Sequence, residues 1–364
     1  MKRNNIILVL HLPPPYGGGE IQGEIIYDYF KNKKDYKFIV IQKSKGNKKK
    51  QGKLTFTNCV LSIPVVFQIF FFTLIYRPKK IFLSIPKDYI SFIRTSFIII
   101  TMKLLRVKVY GELPGTSFMF MDKVNKFKNT TGRYIFKKID SMRLLGNSIV
   151  DYGISMGFKN INVFDNGLDV PGEYRIRDEI IFNEKLNMIY VGSLEEFKGL
   201  FNIIEALNLC KLNGMNFRFH FLGEWVKSEE KLKAENLANK YNLNSEIKFH
   251  GLQINHNKWE IYSECALLVH PTNWDGQPIS IIEAMGLGLG VISTNVGAIP
   301  DTVNDGYNGI ILKENNPQCL YEAIEKLYYD RGYLKMISQN NIETYNKRFR
   351  GDIFLQNFKK WINE

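Results

Sequence analysis

The stretch HPTNWDGQPISIIEAMGLGLGVISTNVGAIP, residues 270–300, decides how this chain folds. An apolar run at 265–269 leads into a polar loop, a helix-forming segment from about Pro278, and a second apolar run at 290–293. That order reads as strand, loop, helix, strand. Two carboxylates bracket the loop and helix: Asp275 before the Gly276-Gln277-Pro278 turn, and Glu283 within the helix. A loop feeding a helix N-terminus presents backbone N–H groups and a positive dipole end, which suit a phosphate or sugar hydroxyls. Glu283, one to two turns in, can accept two hydroxyl hydrogen bonds, as a ribose diol offers them. The combination points to a nucleotide-sugar site.

Working outward, the same alternation fills both halves of the 364 residues. In the first half, strands are expected at 6–12, 37–42, 80–85, 107–111 and 148–153, with helices at 20–30, 65–76 and 91–105. In the second half, strands are expected at 186–192, 217–223, 247–251, 266–270, 290–293 and 309–312. A helix at 198–214 carries Leu200, Ile203, Ile204 and Leu207 on one face. Residues 166–184 are polar and hold Gly and Pro, so a linker is placed there. The expected class is α/β, two doubly wound domains with parallel sheets covered on both faces. Ligands of such sheets bind beyond the carboxyl ends of the strands, which predicts a site in a cleft between the domains.

Composition narrows the setting. Apolar residues make up 45% and charged residues 23%, as in a globular protein with packed cores. Cys59, Cys210, Cys265 and Cys319 form no CxxC pair, which fits a reducing compartment and speaks against a disulfide framework or zinc site. The net charge of +13 is split unevenly: residues 1–170 hold 28 basic against 11 acidic groups, and the remainder 21 against 25. The excess is densest at 31–53, where ten lysines face one aspartate. Such a surface is either ordinary solvation or a face for an anionic membrane or lipid-linked substrate. Residues 54–76 are uncharged, but Pro64 interrupts them and leaves a helix of about 12 residues, roughly 18 Å, too short to span.

Three further features carry chemistry. Gly192-Ser193-Leu194 is followed by Lys198-Gly199 at a helix start, where a lysine opposes the dipole and so calls for a reason. Residues 13–19, PPPYGGG, link a strand to a helix, and their glycines allow backbone to approach a diphosphate or an acceptor. The order Pro271-Thr272, Asp275-Gly276, Glu283-Ala284-Met285, Gly288, Val291, Gly297, Pro300 and Asp301 resembles the family 4 glycosyltransferases, retaining enzymes of the GT-B fold. Asp275 stands where that family carries Glu, and Ser193 where it carries Arg. The family's His-Gly pair is replaced by residues 110–116, YGELPGT, so either Glu112 or Thr116 would take its sugar contact or that role is absent.

The resemblance implies a retaining transfer of a sugar from a nucleoside-diphosphate donor to an acceptor hydroxyl, with no metal or other cofactor. An Asp-x-Asp triplet is absent, and no two histidines have ligand-like spacing. It implies an acceptor domain at 1–165, a donor domain at 185–344, and a helix at about 345–364 packing back on the first. Asp275 and Glu283 would be the catalytic pair. The donor would meet Lys198, Ser193, Glu283, the stretch Gly276, Gln277, Pro278, Ile279 and Ser280, and the backbone near Lys248. Gly18 and Gly19, with Glu112 and Thr116, would face the acceptor or a phosphate. A cytoplasmic protein at the inner face of the membrane, with a carbohydrate or lipid-linked acceptor and no nucleic-acid partner, is the expected setting. A nucleotide-sugar-binding subunit without activity, or an epimerase or phosphorylase of the same fold, are the rivals.

Overall fold

A computed structural model describes residues 5–41, 56–86, 89–114 and 126–364. Thr116 and most of the lysine-rich segment lie outside the described residues. The chain divides into two compact units, residues 1–166 with 351–364, and residues 167–350.

In the first unit the strands Ile6–His11 and Lys80–Ser84 are mainly apolar because helices cover both sides of the sheet. β1 (Ile6–His11), β2 (Tyr36–Ile41), β3 (Lys80–Ser84), β4 (Lys108–Glu112), β5 (Ser141–Leu144) and β6 (Ile161–Val163) are all parallel, in the order β2-β1-β3-β4-β5-β6. Ile6 stands opposite Tyr36 on one side and Lys80 on the other. α1 (Gly18–Phe30) covers one face, and α2 (Phe56–Tyr76) and α3 (Tyr89–Leu104) the other, as right-handed crossovers in this strand order require.

The C-terminal helix Gly351–Asn363 completes the α1 face. Phe82 meets Phe358 and Trp361 edge-on, with ring centroids 5.1 and 6.0 Å apart. Trp361 Nε1 donates to Ser141 Oγ at 2.8 Å, and Lys80 Nζ donates to the Ile362 carbonyl at 3.0 Å. The tail helix therefore starts later than the expected residue 345. Tyr345–Phe349 form a π-turn that stays with the second unit, where the Tyr345 hydroxyl donates to the Leu168 carbonyl at 2.9 Å.

Three other expectations are corrected. α2 starts at Phe56 and runs through Pro64, since a proline removes one helical hydrogen bond without forbidding the turns on either side. Residues 148–153 are no strand: a short turn that buries Ile149 leads into the helix Val150–Met156, which buries Gly153 and Met156. Residues 167–184 are no free linker. Ile176 and Ile180 pack on the core of the second unit, and the Ile176 N–H donates to the Leu287 carbonyl at 2.9 Å.

The second unit repeats the plan. β7 (Leu186–Val191), β8 (Phe217–Leu222), β9 (Ile247–Gly251), β10 (Leu267–His270), β11 (Gly290–Thr294) and β12 (Ile310–Leu312) are parallel, in the order β12-β11-β10-β7-β8-β9. The crossover between β10 and β11 is the helix Ile279–Leu287, whose nine residues are all buried.

The tail helix offers a direct check of the first unit's core. Phe358 is fully buried against Phe30, Phe82 and Trp361. Phe358→Ala should cost about 3–5 kcal/mol, read as a lower urea midpoint. An unchanged midpoint would mean that this helix does not hold the unit together.

Candidate active site

The loops that follow β7, β10 and β11 all emerge at the carboxyl edge of the second sheet, and two glycines let them touch. Gly199 has φ +83°, and a Cβ on it would lie 2.1 Å from the Pro271 carbonyl oxygen. Gly297 has φ +61°, and a Cβ there would lie 2.2 Å from the Asp275 carbonyl oxygen. Both positions exclude any side chain. The Asn273 N–H donates to the Phe197 carbonyl at 2.9 Å, and the Ala298 N–H to the Gly276 carbonyl at 2.8 Å. The loop carrying Asp275 is thereby clamped from both sides.

This clamping brings a cation to the first carboxylate. Lys198 Nζ lies 2.5 Å from Asp275 Oδ2 and donates to the Trp274 carbonyl at 3.0 Å. His270 Nε2 lies 3.3 Å from the same oxygen, and the Gly276 N–H donates to Asp275 Oδ1 at 3.1 Å. Burial pushes the Asp275 carboxyl up, but Lys198 and His270 outweigh it and hold it well below the usual carboxylate range. Burial lowers the His270 imidazole, which favours its neutral form near pH 7, and its Nε2–H donates a hydrogen bond to the ionised Asp275. The ring stacks on Tyr190 at 5.7 Å, and the Tyr190 hydroxyl donates to the Ser193 carbonyl at 2.8 Å. Ser193 is thus tied into the cluster through its backbone.

The second carboxylate has its own partners. Glu283 is 3% exposed; Lys258 Nζ lies 2.6 Å from Oε1, and the Tyr262 hydroxyl donates to Oε2 at 3.1 Å. Lys258 and Tyr262 come from one face of the helix Asn255–Ser263, four residues apart. Burial, and next the Glu283 charge, raise the Tyr262 phenol well above its ordinary value, so it remains a donor. Each carboxylate oxygen keeps a second lone pair for a ligand.

Between the two carboxylates lies the start of the helix. Pro278 has no N–H to offer, and Gly276 gives its own to Asp275. The first-turn N–H groups of Ile279 and Ser280 have no acceptor within the helix. Gln277 is buried and its amide donates to Thr302 Oγ1 at 3.0 Å, so its side chain positions the turn. Lys248 is not brought to this cluster: it is exposed on β9, the edge strand three places from β10. His220 and His250 stack nearby on β8 and β9, with Nδ1 and Nε2 2.9 Å apart. Among the described residues no group of three or more His, Cys, Asp or Glu could hold a metal ion.

The expected acceptor-side residues lie in the first unit. Gly18 and Gly19 open α1, and a side chain on Gly19 would meet nothing within 4 Å. The close approach is at Gly23, where a Cβ would lie 2.1 Å from the His11 carbonyl oxygen. Glu112 is buried, and its Oε2 lies 2.9 Å from Arg143 Nη1. Arg143 also donates to the Asp165 carbonyl and to Asn166 Oδ1, at 2.9 and 2.8 Å.

Comparison with known proteins bears on the second unit most directly. Residues 174–344 match the family model described as glycosyl transferases group 1. An uncharacterized glycosyltransferase of Methanocaldococcus jannaschii is 26% identical over 319 residues, which span 82% of this chain and 79% of that protein. The capsular polysaccharide biosynthesis glycosyltransferase CapM of Staphylococcus aureus is 23% identical over 218 residues, 59% of this chain and 55% of CapM. The Anabaena protein HepE, solved with UDP, superposes with a TM-score of 0.77 at 14% identity, over 99% of both chains. The fold is therefore GT-B, an α/β chain with two parallel six-stranded sheets.

Sequence reading passed over His270, Tyr190, Lys258 and Tyr262. The spacing of Lys258 and Tyr262 was a usable signal, since it puts both on one helix face. The Lys198–Asp275 pair can be probed by pH. A folded carboxyl that titrates below the unfolded value of about 3.9 stabilises fully above that pH, and the contribution is lost as pH falls through the folded value. Lys198→Met should raise the Asp275 titration and cost about 1.5–3 kcal/mol at pH 7. Carboxyl carbon NMR and urea unfolding read the two effects. An Asp275 titration unmoved by Lys198→Met would separate the pair.

Proposed function

We propose that the chain is a glycosyltransferase that moves a sugar from a nucleoside-diphosphate donor to an acceptor hydroxyl. The observation that carries the reading is that one family-matched region, residues 174–344, holds both carboxylate clusters and the helix start between them. The donor diphosphate would take the N–H groups of Ile279 and Ser280 and the positive end of their helix. Lys198 would share its ammonium between Asp275 and a phosphate oxygen, a charge-assisted contact that needs no metal. Glu283 would accept ribose hydroxyls on its remaining lone pairs, already oriented by Lys258 and Tyr262. A uridine nucleotide is the first donor to test, because the similar HepE structure holds UDP.

Asp275, kept ionised, would face the transferred sugar and stabilise the positive charge that develops as the bond to phosphate breaks. In the retaining course, the acceptor hydroxyl attacks from the face that the diphosphate leaves, and a leaving phosphate oxygen takes its proton. Retention, independence of metal and the absence of a cofactor rest on the motif resemblance. The acceptor would be a carbohydrate of surface polysaccharide synthesis carried on a lipid diphosphate, as the basic first half favours. The enzyme would work as a peripheral protein at the cytoplasmic face of the membrane, where nucleotide sugars are made.

Calorimetry with UDP and UDP-sugars tests the donor site. Glu283→Gln should weaken UDP by about 1.5–3 kcal/mol per charged hydrogen bond lost, with the melting temperature followed in parallel. Unchanged UDP affinity in a folded variant would remove Glu283 from the nucleotide site. Donor binding without release of nucleoside diphosphate, whatever the acceptor, would favour a binding subunit instead.

A further inference from the structure

α2 and α3 break the usual rule for helices on a sheet. Such helices turn apolar residues inward and polar ones to water. On α2, Ile69 and Thr73 face inward, while Phe67, Phe70, Phe71, Leu74 and Ile75 are exposed at positions i, i+3, i+4, i+7 and i+8. α3 does the same: Phe92, Thr95, Ile98, Ile99 and Met102 are buried, and Ile93, Phe97, Ile100 and Leu104 are exposed. The exposures are large, 65% for Phe67, 61% for Phe97 and 78% for Leu104. The inner faces meet where the Thr73 hydroxyl reaches Met102 Sδ at 3.5 Å, so the two outer stripes lie side by side. A contiguous exposed apolar surface of this kind marks an interaction site.

Charge around this surface points to its occupant. Residues 56–108 hold eight basic residues and one acidic residue. Exposed Arg77 and Lys79 follow α2, and exposed Arg106 and Lys108 follow α3. The Lys108 N–H donates to the Lys79 carbonyl at 2.9 Å, which gathers this basic margin at the amino-terminal ends of β3 and β4. An apolar field of aromatic and aliphatic side chains offers almost no hydrogen-bonding groups, which a protein partner would engage and a hydrocarbon layer does not need. Among the described residues no helix is long and apolar enough to cross a membrane.

We propose that the outer face of α2 and α3 seats on an anionic lipid bilayer, its aromatic side chains entering the acyl boundary and its basic margin meeting the headgroups. The inference rests on the reading of a membrane-held acceptor and assigns the surface that meets the lipid. Vesicle flotation of the full chain tests it, with phosphatidylcholine alone and with phosphatidylglycerol added. The wild type should float with anionic vesicles and hold on partly in 0.5 M salt. F71S/F97S should float at least about tenfold less, because each buried aromatic is worth a tenfold partition or more, while its UDP affinity and melting temperature stay unchanged. Leu232→Ser, at an exposed residue of the second unit, should change nothing.

A double variant that floats like the wild type overturns the assigned face and leaves the membrane reading intact. A wild type that binds neither vesicle overturns both, while UDP binding still reports on the donor site. A concentration-dependent dimer that F71S/F97S abolishes and vesicles do not dissociate would show that a second copy covers the face, and overturns the proposal.

Discussion

Backbone packed directly on backbone is the constraint on which the candidate site depends. Gly199 presses on the Pro271 carbonyl, and Gly297 on the carbonyls of Asp275 and Gly276. A methyl group at either glycine would collide with main-chain atoms that cannot rotate away. Three loops from three strands therefore share one layer at the sheet edge, and Lys198 reaches Asp275 although 77 residues separate them. Without that contact the buried Asp275 carboxylate would lose its nearest cation. Charge placement here is a consequence of the missing side chains.

Much of this fold is legible in the sequence because parallel sheets bury both faces of their strands. β1 and β10 are apolar up to a terminal histidine, and β7 and β8 are mainly apolar, with Asn187 in one and Arg218 and His220 in the other. The legibility fails where elements are short or carry charge. β5 reads Ser-Met-Arg-Leu, and its arginine is acceptable inside only because Glu112, Asp165 and Asn166 satisfy it. No local pattern reveals that network, since the partners of Arg143 lie up to 31 residues from it. The same holds for residues 167–184, whose polar composition conceals two isoleucines docked on a core.

At the candidate site, motif order singles out Asp275, Lys198 and Glu283 in the sequence, but the groups that hold them are invisible there. His270 looks like an ordinary strand end, and Tyr190 like core. Their meaning appears only when β7 and β10 pair, which sets the two rings in a stack. Lys258 and Tyr262 similarly look like a solvated face and a core residue until their helix meets Ile279–Leu287.

The way these charges are held bears on function. An ion pair that is buried and fully hydrogen-bonded contributes little net stability compared with apolar packing. Its benefit is that the geometry exists before a ligand arrives, so binding need not spend free energy on ordering the groups. Glu283 is fixed by two donors on one rigid helix face, and Asp275 by a lysine, a histidine and a backbone amide. Each Glu283 oxygen has one such donor and keeps a second lone pair. Lys198 is the adaptable member: an ammonium has three donors, two of which are engaged by Asp275 and the Trp274 carbonyl. An anion arriving at the helix start would meet a cation already desolvated and aimed, with one proton still to give.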